Sequence, residues 1–283
     1  MERFLCSASR QSQSPHVSML AGEELVSSTI AAAPTRAQIT QTEDRERLFY
    51  LIACLVMIAG VAIGFRMFYM HGLNDAGQPV TQQSAPLVYI HGGLMTCWMV
   101  LFLLQCSLVV KGNRRLHMRL GRAAVVLYAV IVPVATSTAL LQIHYADPQS
   151  FPPFGPYRFL TLPLTEIANF TLFVGAGFLF RHTPALHRAL MMMGTLSVAQ
   201  TGIGRIGPIR NAFYQASHAA FFPTFWGSTV AAVLLLWLLK LAMTHRLDRH
   251  FATAFFLFVT SGLLSSYVAT TTWWPQFAHR ITR

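Results

Sequence analysis

Five side chains set in long apolar stretches carry the groups from which a membrane site is built: Arg66, His91, Glu166, Gln200 and Arg205. Between them they offer a carboxylate, an imidazole, an amide and two guanidinium groups. Such a set can hold a polar head group, bind a proton or neutralise itself. In hydrocarbon an ionisable group costs about 2.5–3.5 kcal/mol on insertion scales, so these groups face a bundle interior and find partners there. At ~1.5 Å per helical residue, His91 lies roughly 6 Å and Glu166 roughly 10 Å below the outer membrane surface. Arg66, Gln200 and Arg205 fall in the same outer layer. The expectation is a ligand pocket of these five residues, with Glu166 paired to Arg66 or Arg205 and His91 hydrogen-bonded to the carboxylate. The ordinary alternative is that the arginines snorkel to the interface and that His91 bonds a backbone carbonyl.

A second layer holds His117, His182, His187, His245 and His250, all at the opposite helix ends, where a histidine is cheap. Neutral imidazole is a suitable axial ligand for haem iron. The preferred pair is His117 with His187, and a weaker pair is His91 with His218. Met191, Met192 and Met193 suggest a soft-metal box, but consecutive helical residues point in different directions, so they read as core. The four cysteines form no CxxC pair: Cys54, Cys97 and Cys106 sit in apolar segments and Cys6 lies near the start of the chain. GIGRIG at 202–207 follows no strand and is not a phosphate loop. No HExxH or Ser-His-Asp pattern stands out either.

What positions these residues is a membrane bundle. Hydrophobic residues make up 54% of the chain and charged ones 11%, against roughly 25% charged in soluble domains. Seven apolar windows, near 48–70, 87–110, 121–143, 159–181, 187–206, 218–242 and 250–270, each approach the ~20 residues that cross a bilayer as helix. They are too long for barrel strands. The fold class predicted is all-α integral membrane: a seven-helix transmembrane domain at 47–272, a disordered tail at 1–46 and a short external segment at 273–283. The net charge of +11 comes from short basic clusters beside apolar segments, which excludes a nucleic-acid stripe and fits cytoplasmic loops. Ten basic residues follow the second, fourth and sixth windows (Lys111, Arg114, Arg115, Arg119, Arg122, Arg181, Arg188, Lys240, Arg246, Arg249) and three follow the others (Arg158, Arg205, Arg210). That bias places the N-terminus in the cytoplasm and the C-terminus outside, in an inner membrane, with Trp273, Trp274 and Phe277 as an outer aromatic anchor. The proline-rich loop Ala146–Tyr157 is predicted to cap the outer face.

Two loops echo each other. Leu116-His117-Met118-Arg119-Leu120-Gly121 and Leu186-His187-Arg188-Ala189-Leu190-Met191 lie 70 positions apart, the pattern of a duplicated hairpin. Together with His91, Trp98, Gln105 and Arg205, these motifs resemble a bacterial multi-pass membrane family of unknown function over roughly residues 86–206. That family is in turn distantly similar to small b-type haem membrane proteins and haem-handling assembly factors, so the resemblance implies a helical bundle and a haem. The residues themselves point first to a small or lipidic ligand in the outer pocket, as in a transporter, sensor or scaffold. Haem-dependent electron transfer or assembly is the alternative. An enzyme acting on lipid or isoprenoid substrates is the third reading, without the paired acidic motifs such enzymes carry.

Overall fold

A chain in hydrocarbon has no water for its backbone groups, so an apolar stretch of this length satisfies them within its own helix. The computed structural model obeys that rule. It describes residues 36–74, 77–145, 154–216 and 220–283. Residues 1–35, His218 and most of the proline-rich loop lie outside the described residues. Eleven helices are described: α1 Arg36–Gly64, α2 Arg66–His71, α3 Ala85–Val110, α4 Arg114–His144, α5 Gly155–Phe159, α6 Thr161–Leu179, α7 Pro184–Ile203, α8 Gly207–Ala216, α9 Phe221–Thr244, α10 Arg249–Thr270 and α11 Trp273–Ile281. Among the described residues the only β pairing is an isolated bridge between Leu73 and Pro79. Thr42–Arg283 packs as one unit. Of the preceding unit, the structure describes residues 36–41 as helix, so the tail boundary expected at 46 falls inside α1.

Among the described residues, six helical stretches are long and apolar enough to cross a membrane: Thr40–Gly64, Ala85–Val110, Arg114–His144, Gly155–Leu179, Thr224–Thr244 and Arg249–Thr270. The remaining long helix, α7, is 20 residues long but less apolar, and 11 of those residues are buried. It packs against α6, α9 and α10. Its small and polar residues (Gly194, Thr195, Ser197, Gln200, Gly202) therefore face protein on most sides. Small residues let backbones approach closely in membranes. A Cβ on Gly64 would collide with the backbone carbonyl of Gly202, and one on Gly202 would stand 2.8 Å from the Val61 Cα. This crossing joins the ends of α1 and α7.

At the other end a buried charge network ties four helices. Lys240, only 2% exposed, lies within α9. Its ammonium is 3.0 Å from Glu46 Oε1 of α1, donates to the Tyr50 hydroxyl at 3.0 Å and pairs with Asp248. The rings of Tyr50, Phe251 and Phe49 surround it at 4.8, 5.2 and 5.8 Å. The second oxygen of Glu46 accepts from Arg188 of α7 at 3.0 Å. Asp248 also caps α10 by accepting from the Phe251 N–H at 3.0 Å. The α9–α10 turn is short, and His245 takes the left-handed conformation (φ 52°) that closes α9. Lys240 and Arg188, which the sequence offers as loop charges, are thus interior ion-pair partners.

The C-terminal segment is a helix docked on the bundle. The Trp274 indole donates to the Tyr157 carbonyl at 2.8 Å, and the Thr282 carbonyl lies 2.7 Å from His144 Nδ1. Trp274 and Ala278 are buried beside Ala139, Ile143 and Leu160. Trp273 and Phe277 remain exposed, so Trp274 leaves the expected interfacial anchor for the core.

Burial pushes the Asp248 carboxyl up, but the Lys240 ammonium and the Phe251 N–H outweigh it and hold the group below its ordinary 3.8. A carboxyl depressed by folding contributes stability above its unfolded value and loses it as pH falls through the folded value. Asp248→Asn should therefore lower the detergent melting temperature at pH 7. The gap from wild type should persist down to about pH 4 and close below it, which melts at pH 7, 5 and 3 will check.

Candidate functional site

The side chains that meet in the Glu166 layer come mainly from α6 and α7. Ser197 and Thr201, four residues apart, form one stripe on α7 that reaches Glu166, and Arg205 continues the spacing just past the end of the helix. The Ser197 hydroxyl donates to the Gly194 carbonyl at 2.7 Å and reaches the Glu166 carbonyl at 3.4 Å. The Thr201 hydroxyl donates to Glu166 Oε2. One turn on, an Arg205 N–H donates to the Thr201 carbonyl at 2.7 Å, and the guanidinium lies 4.6 Å from the Phe65 ring. Glu166 itself is 6% exposed, and its second oxygen, Oε1, is buried without a hydrogen-bond partner.

Gln200 stands beside Thr201 but turns toward α9. Its amide nitrogen donates to the Phe225 carbonyl at 3.2 Å, while its Oε1 is buried without a partner. On α9, Trp226 Nε1 and Thr229 Oγ1 are likewise buried and unbonded. The region thus holds two free acceptors and further unsatisfied polar atoms, each of which is expensive to bury unbonded. His91 Nδ1 on α3 is also buried without a partner, and no hydrogen bond joins it to Glu166 among the described residues. Arg66 is exposed and donates to the Ile63 carbonyl at 3.2 Å, the snorkelling alternative. Of the five expected residues, Glu166 of α6 and Arg205, just past the end of α7, both bond Thr201, while Gln200 beside it turns to α9. Among the described residues no hydrogen bond ties Arg66 or His91 to this group. The structure adds Ser197 and Thr201, which their four-residue spacing from Arg205 marks in the sequence.

In the histidine layer, His182, His245 and His250 are exposed, as a helix end permits. His117, the first of the echoed pair, carries a buried Nδ1 without a hydrogen-bond partner. The His187 Nδ1 is 2.7 Å from the Gly177 carbonyl. The nearby cavity, lined by Trp98, Leu101, Phe102, Gln105, Ala124 and Met191, has a volume of about 20 Å³. A cavity of that size takes about one water molecule, and neither His117 nor His187 is in its lining. Met192 and Met193 are fully buried in the core, as expected, while Met191 faces this cavity. His218 of the weaker pair lies outside the described residues.

Replacing Thr201 by Val keeps its shape and removes the hydroxyl, leaving Glu166 Oε2 without its donor. The loss should be about 1–3 kcal/mol, with Thr201→Ser close to wild type, as read by unfolding in detergent. Comparison of the chain with protein-family models, curated proteins and solved structures finds no match.

Proposed function

We propose that this chain is a multi-pass inner-membrane protein that binds a small or lipidic ligand in the polar pocket around Glu166. The observation that carries the reading is a buried carboxylate in a membrane-spanning helix with one oxygen, Oε1, free of any hydrogen bond. An intramembrane ionisable residue marks a substrate or ion pathway by default. A ligand presenting a donor to Glu166 Oε1 and Gln200 Oε1 would satisfy both acceptors. The six apolar helices together with the enclosed α7 make seven crossings, so the two ends of the chain lie on opposite sides. With Lys240 and Arg188 set aside as ion-pair partners, the loop charges stand at eight against three. That bias still supports a cytoplasmic N-terminus and an external C-terminus.

The test is native mass spectrometry of the full chain extracted from its membrane. Wild type should carry a bound molecule of defined mass, and Glu166→Gln should lose it while keeping its helical circular-dichroism spectrum. The same adduct on both proteins would contradict the reading.

A further inference from the structure

The two echoed loops fold into opposite surroundings. In the α7 copy Arg188 pairs with Glu46, and Ala189 and Leu190 are buried. In the α4 copy Arg119 stands where Ala189 does, and it is exposed. Arg115, one turn before it, and Arg122, about one turn after, are exposed as well. Counting on in steps of three and four, these arginines share one face of α4 with Val126 and Val130, which are also exposed. The outside of the bundle thus carries a stripe that is guanidinium at one end and apolar beyond it. α4 has 31 residues, which makes roughly 46 Å of helix against a hydrocarbon core of ~30 Å. Its first turns therefore reach the headgroup layer, where arginine side chains extend their charge, while Val126 and Val130 lie at the depth of acyl chains.

The charge on this stripe is unanswered by the protein. No Asp or Glu occurs between Asp75 and Asp147. Among the described residues Lys111, Arg114, Arg115, Arg119 and Arg122 form no ion pair, whereas Arg47 pairs with Glu43 and Asp44, Arg188 with Glu46, and Lys240 with Glu46 and Asp248. Like charges three and four residues apart on a helix repel, and an anion seated among them removes that cost. We infer that this face of α4 binds a phospholipid with an anionic headgroup, its phosphate held by Arg115, Arg119 and Arg122 and an acyl chain laid over Val126 and Val130. Guanidinium offers paired N–H donors that match phosphate oxygens, and basic clusters at the end of a membrane helix draw anionic lipids. A soluble acidic partner would meet the arginines and leave the apolar part of the stripe unused. The site is distinct from the one around Glu166, which is buried and offers free acceptors instead of donors.

The test presents the full-length chain in detergent with equal amounts of phosphatidylglycerol and phosphatidylcholine bearing the same acyl chains, and counts retained lipid by native mass spectrometry. Wild type should prefer phosphatidylglycerol by at least about tenfold. Arg115→Gln/Arg119→Gln/Arg122→Gln should hold the two lipids alike. Arg246→Gln/Arg249→Gln, an exposed basic pair at the α9–α10 turn, should behave as wild type. So should Glu166→Gln, which separates this site from the pocket. Millimolar inorganic phosphate should not displace the lipid. Circular dichroism confirms that each variant is folded, and should the triple variant unfold, Arg115→Gln/Arg119→Gln takes its place and should lose most of the preference. Equal retention of both lipids by wild type, an unchanged preference in the α4 variant, the same loss in the Arg246/Arg249 variant, or displacement by phosphate would each overturn the assignment.

Discussion

An ammonium group removed from water is tolerated only where opposite charge and hydrogen-bond acceptors meet it, and Lys240 meets this condition with partners drawn from separate helices. Glu46 comes from α1, Asp248 from the head of α10 and the Tyr50 hydroxyl from α1 again, while Phe49, Tyr50 and Phe251 close the sides. Because Glu46 also binds Arg188, the network reaches the first turns of α7. Each partner is over-determined by the others. This end of the bundle is therefore a fixed frame, not a set of loops.

That frame lets α7 be what it is. A helix carrying Thr195, Ser197, Gln200 and Thr201 gains little from facing lipid, and the structure places it against α6, α9 and α10. The Trp98 indole of α3 donates to Thr195 at 3.3 Å, and Ser197 and Thr201 reach across to Glu166. A second polar link, Asn169 to Ser261 at 2.8 Å, ties α6 to α10. Hydrogen bonds of this kind join helices in membranes, where apolar contact alone does not favour protein over lipid. With α7 clamped at one end by Arg188 and pressed onto Val61 through Gly202 at the other, its polar face has one available orientation, toward Glu166.

Much of this was readable from residue order. The apolar windows announce the spans through their length and lack of charge, and depth counting singles out Glu166 because a carboxylate so far from either surface has no cheap explanation. Arg205 over Arg66 was also within reach, since only Arg205 continues the four-residue stripe of Ser197 and Thr201. Lys240 was not legible. Its partner Glu46 lies almost 200 positions away, and at the end of an apolar run a lysine looks like any other loop charge. The docked C-terminal helix was hidden for a similar reason: Trp273, Trp274 and Phe277 look alike as interfacial rings until the Tyr157 carbonyl offers the indole of Trp274 a partner. Long-range pairing, not local pattern, separates what could be read from what could not.

Equilibrium unfolding of Lys240→Met in detergent tests most directly whether the Lys240 charge network holds the helices in register. The substitution removes the buried ammonium and leaves the half-buried Glu46 and Asp248 carboxylates without it, with Arg188 still on Glu46. The expected loss is about 3–5 kcal/mol, the range for breaking one side of a buried ion pair. A variant as stable as wild type, or more stable, would contradict that role.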